Sequence, residues 1–263
     1  MVKLQKYIYI ILFVILLNFF FRILQIVFFQ DISFISDSLY TSFFKIFIIL
    51  IILYFIIDKK IFSFKNDIKY SLKISLILLL INFFISYKYL TLYGINNLFF
   101  HFIRCFSVAF FEEIVFRFLI FSCIIFYFKY IKNDASFFYK SIILTTILFS
   151  LIHFVNFIFG RYDILSTIIQ MEIAFVFGLF LQYIFIKYQS VILVSIIHCL
   201  FNYYGSINRV LSTEKFEKII NNDFLDINSF LQNQIILIPL IILSLYLSHS
   251  FSKKHADYKS ILN

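Results

Sequence analysis

The sequence predicts an all-α fold, a polytopic membrane protein with about eight transmembrane helices. Of 263 residues, 62% are hydrophobic and only 14% charged. The mean hydropathy of +0.97 lies well outside the range of a soluble globular domain, in which about 25% of residues are charged. Apolar stretches of about 17 to 26 residues recur from one end of the chain to the other. Each is long enough to cross a hydrocarbon core about 30 Å thick as a helix. The segments between them are short and collect the lysines.

Taken in order, the predicted spans are residues 7–29, 39–57, 70–87, 104–130, 136–160, 164–188, 190–207 and 232–248. Lys3 and Lys6 precede the first in the manner of a signal peptide. No small-residue cleavage site follows and Arg22 interrupts the run, so an uncleaved span is expected. The second span carries Lys45, which like Arg22 is expected to pair locally or reach the headgroups and is given no function. His101 and Arg104 stand where the fourth begins and are expected to snorkel to the interface. Ser190 follows the sixth span directly, which demands a tight reverse turn before the seventh. Gly178 is expected to mark a close helix contact and Pro239 a kink in the last span. The polar segment Asn208 to Leu231 holds Glu214, Lys215, Glu217 and Lys218 at spacings that suit a short surface helix.

The net charge of +9 does not point to nucleic acid, because the lysines lie between spans and not along one face. They encode orientation instead. Lys3, Lys6, Lys59 to Lys73, Lys129, Lys132, Lys140, Lys187, Lys253, Lys254 and Lys259 fall on one side of an eight-helix alternation. The positive-inside rule then puts both termini in the cytoplasm. Cys105, Cys123 and Cys199 share no short spacing and lie in apolar spans, so they read as small packing residues and not as disulfides or a thiolate metal site. No segment specifies an oligomeric state.

Several polar groups interrupt the spans. The stretch FFEEIVFR places Glu112, Glu113 and Arg117 among aromatic and aliphatic residues. An ionisable group at mid-membrane costs about 2.5 to 3.5 kcal/mol on insertion scales, so these need partners or a purpose. Glu113 and Arg117 are four residues apart and can neutralise each other on one helix face. Glu112 points about 100° away, toward another face, and is left without a local counterion. The fifth span carries Phe149 and His153 one turn apart, and the seventh His198 and Asn202 in the same relation. With alternating spans, Glu112 lies about eight residues from the outer start of its helix, His153 about seven from the outer end of its own, and Asn202 about five. They share one half of the bilayer. A carboxylate, two imidazoles and a carboxamide at one depth are the components of a hydrolytic site. Gln170 and Glu172, in the sixth span, are expected either to line a water-filled cavity or to form an interhelical hydrogen bond.

EEIVFR, FSLIH and HCLFN fit the patterns EExxxR, FxxxH and HxxxN, and in this order the chain resembles the CPBP family of CAAX protease and bacteriocin-processing membrane proteins, also called Abi. The resemblance covers roughly residues 98–207. It makes the four spans in 98–207 the catalytic core, and the span pattern then leaves three N-terminal spans in residues 1–97 and a loop, last span and basic tail in 208–263. It also implies that Glu112 and His153 activate a water for attack on a peptide carbonyl while His198 and Asn202 stabilise the oxyanion. Glu113, Arg117 and Phe149 then give structural support. No cofactor is required on this reading; the alternative is a Zn2+ enzyme with Glu112, His153 and His198 as ligands, although HExxH is absent. The expected partners are a hydrophobic or lipidated peptide substrate and the lipid bilayer, with the bacterial plasma membrane as the location. Two other classes fit the buried groups: a proton-coupled transporter, and a non-catalytic immunity or scaffold protein.

Overall fold

The computed structural model describes residues 2–28, 34–56, 73–81, 95–131, 136–160, 162–206 and 227–254. We label the helices α1 (Val2–Phe28), α2 (Phe34–Ile56), α3 (residues 73–81), α4 (Ile95–Glu113), α5 (Phe121–Ile131), α6 (Ser136–Leu151), α7 (Val155–Ile158), α8 (Ile164–Tyr188), α9 (Val191–Gly205) and α10 (Ile227–Lys254). A π-helical stretch, Ile114–Ile120, joins α4 to α5, and a 3₁₀ turn, Ile152–Phe154, separates α6 from α7. No strand occurs among the described residues. Among the described residues, three helical stretches are both long and apolar enough to cross a membrane: Phe137–Ile158, Ile164–Tyr188 and Phe230–Ser250. Ile8–Phe21 and Val191–Gly205 are apolar but shorter. Of the polar segment Asn208 to Leu231, the part with Glu214, Lys215, Glu217 and Lys218, where a surface helix is expected, lies outside the described residues, and the part from Ile227 onward begins α10.

The chain divides into two compact units. The first comprises Met1–Leu119 and Lys187–Thr213, the second Ile120–Ile186 and Glu214–Asn263. In the first, α4 packs along both α2 and α9. Side-chain pairs fix the directions. Asn18 and Phe21 of α1 meet Lys45 and Tyr40 of α2, in reversed order, so these helices are antiparallel. Asp37, Ser42 and Lys45 of α2 meet Arg104, Ser107 and Phe111, so α2 and α4 are parallel. His101 and Glu113 of α4 meet Tyr203 and His198 of α9, which are antiparallel. These directions are the ones that alternating spans require. Leu98, Cys105, Ala109, Cys199 and Tyr203 form the apolar seam between α4 and α9.

His101 departs from expectation. It is buried, its Nε2 donating to the Tyr203 carbonyl at 3.2 Å, and does not snorkel. Nor does Arg104 simply reach for the interface, because its guanidinium pairs with Asp37 at 2.7 Å. Both differences have one cause: α4 begins at Ile95, more than two turns before the predicted span, so these residues lie inside the helix and face neighbours.

In the second unit, Phe121, Ile125, Phe138, Ile142, Leu179 and Ile186 form the apolar core. Gly178 allows the close approach of α8 and α6. A Cβ there would lie 3.0 Å from Phe149 Cδ1 and from Thr146 Cγ2, so the spacing of the two helices depends on its absence. Ser141, Thr145 and Thr146 are fully buried, and each hydroxyl donates to the carbonyl one turn back. Gln170 and Glu172 make interhelical hydrogen bonds, the first accepting from Asn156 at 2.9 Å and the second from Gln234 at 2.8 Å. Pro239 lies inside α10. Large apolar side chains such as Leu16, Phe43, Leu50, Ile235 and Tyr246 are exposed, as helices solvated by acyl chains require. Arg117 and Glu113, by contrast, are among the most deeply buried side chains.

The helix ends follow ordinary capping chemistry. Ser190 caps α9 by accepting from the Leu193 amide, and Gln189 takes the positive φ of 49° that the tight turn before it demands. Asp163 caps α8, accepting from the Ser166 amide at 3.0 Å and from the Ser166 hydroxyl. Partial burial works to raise the Asp163 pKa, but these hydrogen bonds outweigh it and hold the carboxyl below its ordinary value of 3.8. The free cysteines Cys105, Cys123 and Cys199 are buried packing residues.

Two outcomes follow. Gly178→Val should destabilise the folded protein by about 1–3 kcal/mol through overpacking against Phe149 and Thr146, seen as a lower thermal midpoint in detergent. Asp163→Ala should cost about 1 kcal/mol at neutral pH. Because the folded-state pKa is depressed, that difference should hold above the unfolded value and fade as pH falls through the lower folded one.

Candidate active site

Directly after Glu113 the helix widens into the π-helical stretch Ile114–Ile120, which carries Arg117. Such turns are rare and concentrate at functional sites. Glu113 and Arg117 are both 0% exposed, and Arg117 Nε lies 3.0 Å from Glu113 Oε2. The second Glu113 oxygen receives His198 Nδ1 at 2.8 Å from α9. A paired carboxylate is an acceptor only, so Nδ1 carries the proton and donates it. This sets the ring's orientation and turns Nε2 toward Glu112, whose Oε2 stands 3.7 Å away. Glu112 itself retains 20% side-chain exposure.

The two carboxylates thus meet at a single imidazole, contrary to the expectation that neighbours about 100° apart serve separate spots. The helix rotation is real, but a ring inserted from α9 between the two side chains presents one nitrogen to each. At 3.7 Å Nε2 faces the Glu112 carboxylate as a close neighbour without a direct hydrogen bond. Asn202 lies one turn beyond His198 on α9, half-buried, and its backbone carbonyl accepts from the Ser206 amide at 3.1 Å.

His153 belongs to the second unit, in the 3₁₀ turn Ile152–Phe154 at the end of α6. Its Nδ1 donates to the Phe149 carbonyl at 3.0 Å, and its ring meets Phe149 edge to face with centroids 5.4 Å apart. A neutral His153 fixed this way presents the Nε2 lone pair as its basic site. Phe149 is buried and His153 half-buried, so the one-turn spacing joins a packing anchor to a more accessible base.

The sequence reading paired Glu113 with Arg117 but had no signal for the contact of Glu113 with His198, 85 residues away. It gave Lys45 no function; the ammonium lies 3.9 Å from the centroid of the Phe111 ring, one residue before Glu112. Among the described residues, no group of three or more His, Cys, Asp or Glu side chains has the geometry to hold a metal ion.

Removing either partner of the Glu113–Arg117 pair strands a buried charge. Glu113→Ala or Arg117→Ala should cost about 3–5 kcal/mol of stability, visible as a fall in folded yield and thermal midpoint.

Comparison with curated proteins and with solved structures finds no match. Residues 94–204 match the family model described as "Type II CAAX prenyl endopeptidase Rce1-like". The matched stretch contains all three motifs, from Glu112 to Asn202, and leaves α1 and α2 outside it. Over residues 94–204, under half of its length, the chain is similar to the CAAX-protease family of intramembrane endopeptidases.

Proposed function

We propose that the chain is a CAAX-type intramembrane endopeptidase that hydrolyses a peptide bond in a hydrophobic or lipidated peptide, with residues 98–207 as its catalytic core. The observation that carries this reading is the partly exposed Glu112 carboxylate beside a His198 ring held by the buried Glu113–Arg117 pair. A carboxylate with access to water and an imidazole at its side is the chemistry of general base catalysis. Glu112 takes a proton from the attacking water. His153, with Nδ1 occupied by a backbone carbonyl, shares in that activation through Nε2. The proton then passes to the leaving amine. His198 with both nitrogens protonated donates to the oxyanion, and Asn202 adds a carboxamide N–H, a donor worth about 2.7–4 kcal/mol in other oxyanion holes.

A zinc-dependent form of the same reaction would use Glu112, His153 and His198 as ligands, the ion supplying an acidic bound water. Two features favour keeping it in view. The 3.7 Å between His198 Nε2 and Glu112 Oε2 is close to the ~3.4 Å edge of a tetrahedron with bonds of about 2.1 Å. The carboxylate on the far ring nitrogen also matches the outer-shell partner that zinc-bound histidines have. The metal-free reading needs no ligand set, and among the described residues no group of three or more His, Cys, Asp or Glu side chains has the geometry to hold a metal ion.

We place the protein in a bacterial plasma membrane, and the lysine distribution supports an orientation with both termini cytoplasmic. Maturation of bacteriocin or pheromone precursors suits that setting better than prenyl-protein processing does. A proton-coupled transporter would instead show solute flux in liposomes, and an immunity scaffold would keep its phenotype when the site is dismantled.

Purified protein incubated with its host's membrane peptides should generate new peptide termini. Glu112→Ala and His153→Ala should each lower the rate by about 10²–10⁴-fold and Asn202→Ala by about 10²–10³-fold, all with insertion intact. Activity should survive exhaustive chelation, whereas loss restored by zinc selects the metal form. Full activity after Glu112→Ala, His153→Ala and His198→Ala together excludes a protease.

A further inference from the structure

The N-terminal helices lie outside the matched segment, yet α2 meets α4 in a polar ladder along one face. Its rungs are Asp37 with Arg104 at 2.7 Å, Ser42 with Ser107 at 3.2 Å, and Lys45 over Phe111 at 3.9 Å. The last rung falls at the turn that bears Glu112. Lys45 also donates to Asn18 Oδ1 of α1 at 2.5 Å, so one ammonium joins three helices at that level. An amine in an apolar span is costly, and packing alone would be served better by Leu or Met. What the ammonium adds is direction: its charge is drawn to the centre of a ring face, and the amide oxygen of Asn18 holds it there. Phe111 is buried, so holding its ring holds the rotation of α4 where Glu112 projects.

We propose that Lys45 is a positioning residue for Glu112, acting through Phe111, and that α1 and α2 are therefore working parts of the catalytic unit. The proposal rests on the reading of Glu112 as the general base. The first helical pair sets the azimuth of the carboxylate; the partners on α9 set the imidazole that faces it.

The test uses the full chain in nanodiscs, as wild type, Lys45→Met, Lys45→Arg and Asn18→Leu. One readout is the rate at which a hydrophobic carbodiimide modifies Glu112 at pH 7, followed by mass spectrometry, with Glu172 of the second unit as an internal control. The other is cleavage of a farnesylated CAAX peptide. Lys45→Met should change the Glu112 modification rate at least fivefold, leave Glu172 unchanged and keep the thermal midpoint. On the peptide it should lower kcat at least tenfold with KM retained. Lys45→Arg should restore both, and Asn18→Leu should shift them in the direction of Lys45→Met. An unchanged Glu112 rate, or a change of equal size at Glu172, overturns the proposal. If Lys45→Met does not fold, Asn18→Leu decides by the same criteria. A wild-type protein inert on the farnesylated peptide excludes prenyl-protein processing, the less suited of the substrate classes above, while the carbodiimide readout still decides the role of Lys45.

Discussion

The fold is organised around the cost of placing charge in hydrocarbon. Glu113 and Arg117 are fully buried, and neither is tolerable there without the other. Their pairing does more than cancel charge. One carboxylate oxygen is spent on the guanidinium, and the other takes His198 Nδ1–H from a different helix. The ion pair thus becomes the reference to which an imidazole, and through it the exposed edge of Glu112, is aligned. A hydrophobic pair of similar volume would pack as well and would orient nothing.

This gives the two adjacent glutamates distinct physical tasks. Glu113 is dry, paired and acceptor-only. Glu112 retains 20% side-chain exposure and faces the second ring nitrogen. An acid–base pair needs one group fixed and one able to exchange protons, and neighbouring positions on one helix supply both because the helix rotates between them. The π-helical stretch that follows carries Arg117, and it is where the backbone departs from the regular ladder on which the rest of α4 is built. Polar contacts elsewhere serve the packing of spans: Glu172 with Gln234, Asn156 with Gln170, and the gap left by Gly178.

Much of this was legible in the sequence because hydrocarbon imposes a severe grammar. A chain without soluble-like composition must bury its backbone polar groups in helices, so the all-helical fold, the turn at Ser190, the close contact at Gly178 and the Glu113–Arg117 pair could be read from local spacing alone. The three motifs were equally local. What escaped were contacts that depend on which helix stands beside which. His198 reaching Glu113, Lys45 seated on Phe111, and His101 turned inward to the Tyr203 carbonyl join residues 66 to 102 positions apart, for which a single sequence has no periodic signal. The early start of α4 at Ile95 escaped too. Its first two turns, with Asn96, Asn97 and His101, are too polar to count as a span yet continue the helix without a break. Nor can periodicity foresee a π-helical stretch, since the residues there are as apolar as those around them.

The account stands on the orientation of one ring. Solid-state ¹⁵N NMR of histidine-labelled protein in bilayers, with His198 assigned by substitution, reports that orientation directly. The expected spectrum of the wild type has His198 Nδ1 protonated and strongly hydrogen-bonded, and that signature lost in Glu113→Gln. A wild-type His198 with a bare Nδ1 and its proton on Nε2, indifferent to the substitution, would contradict it.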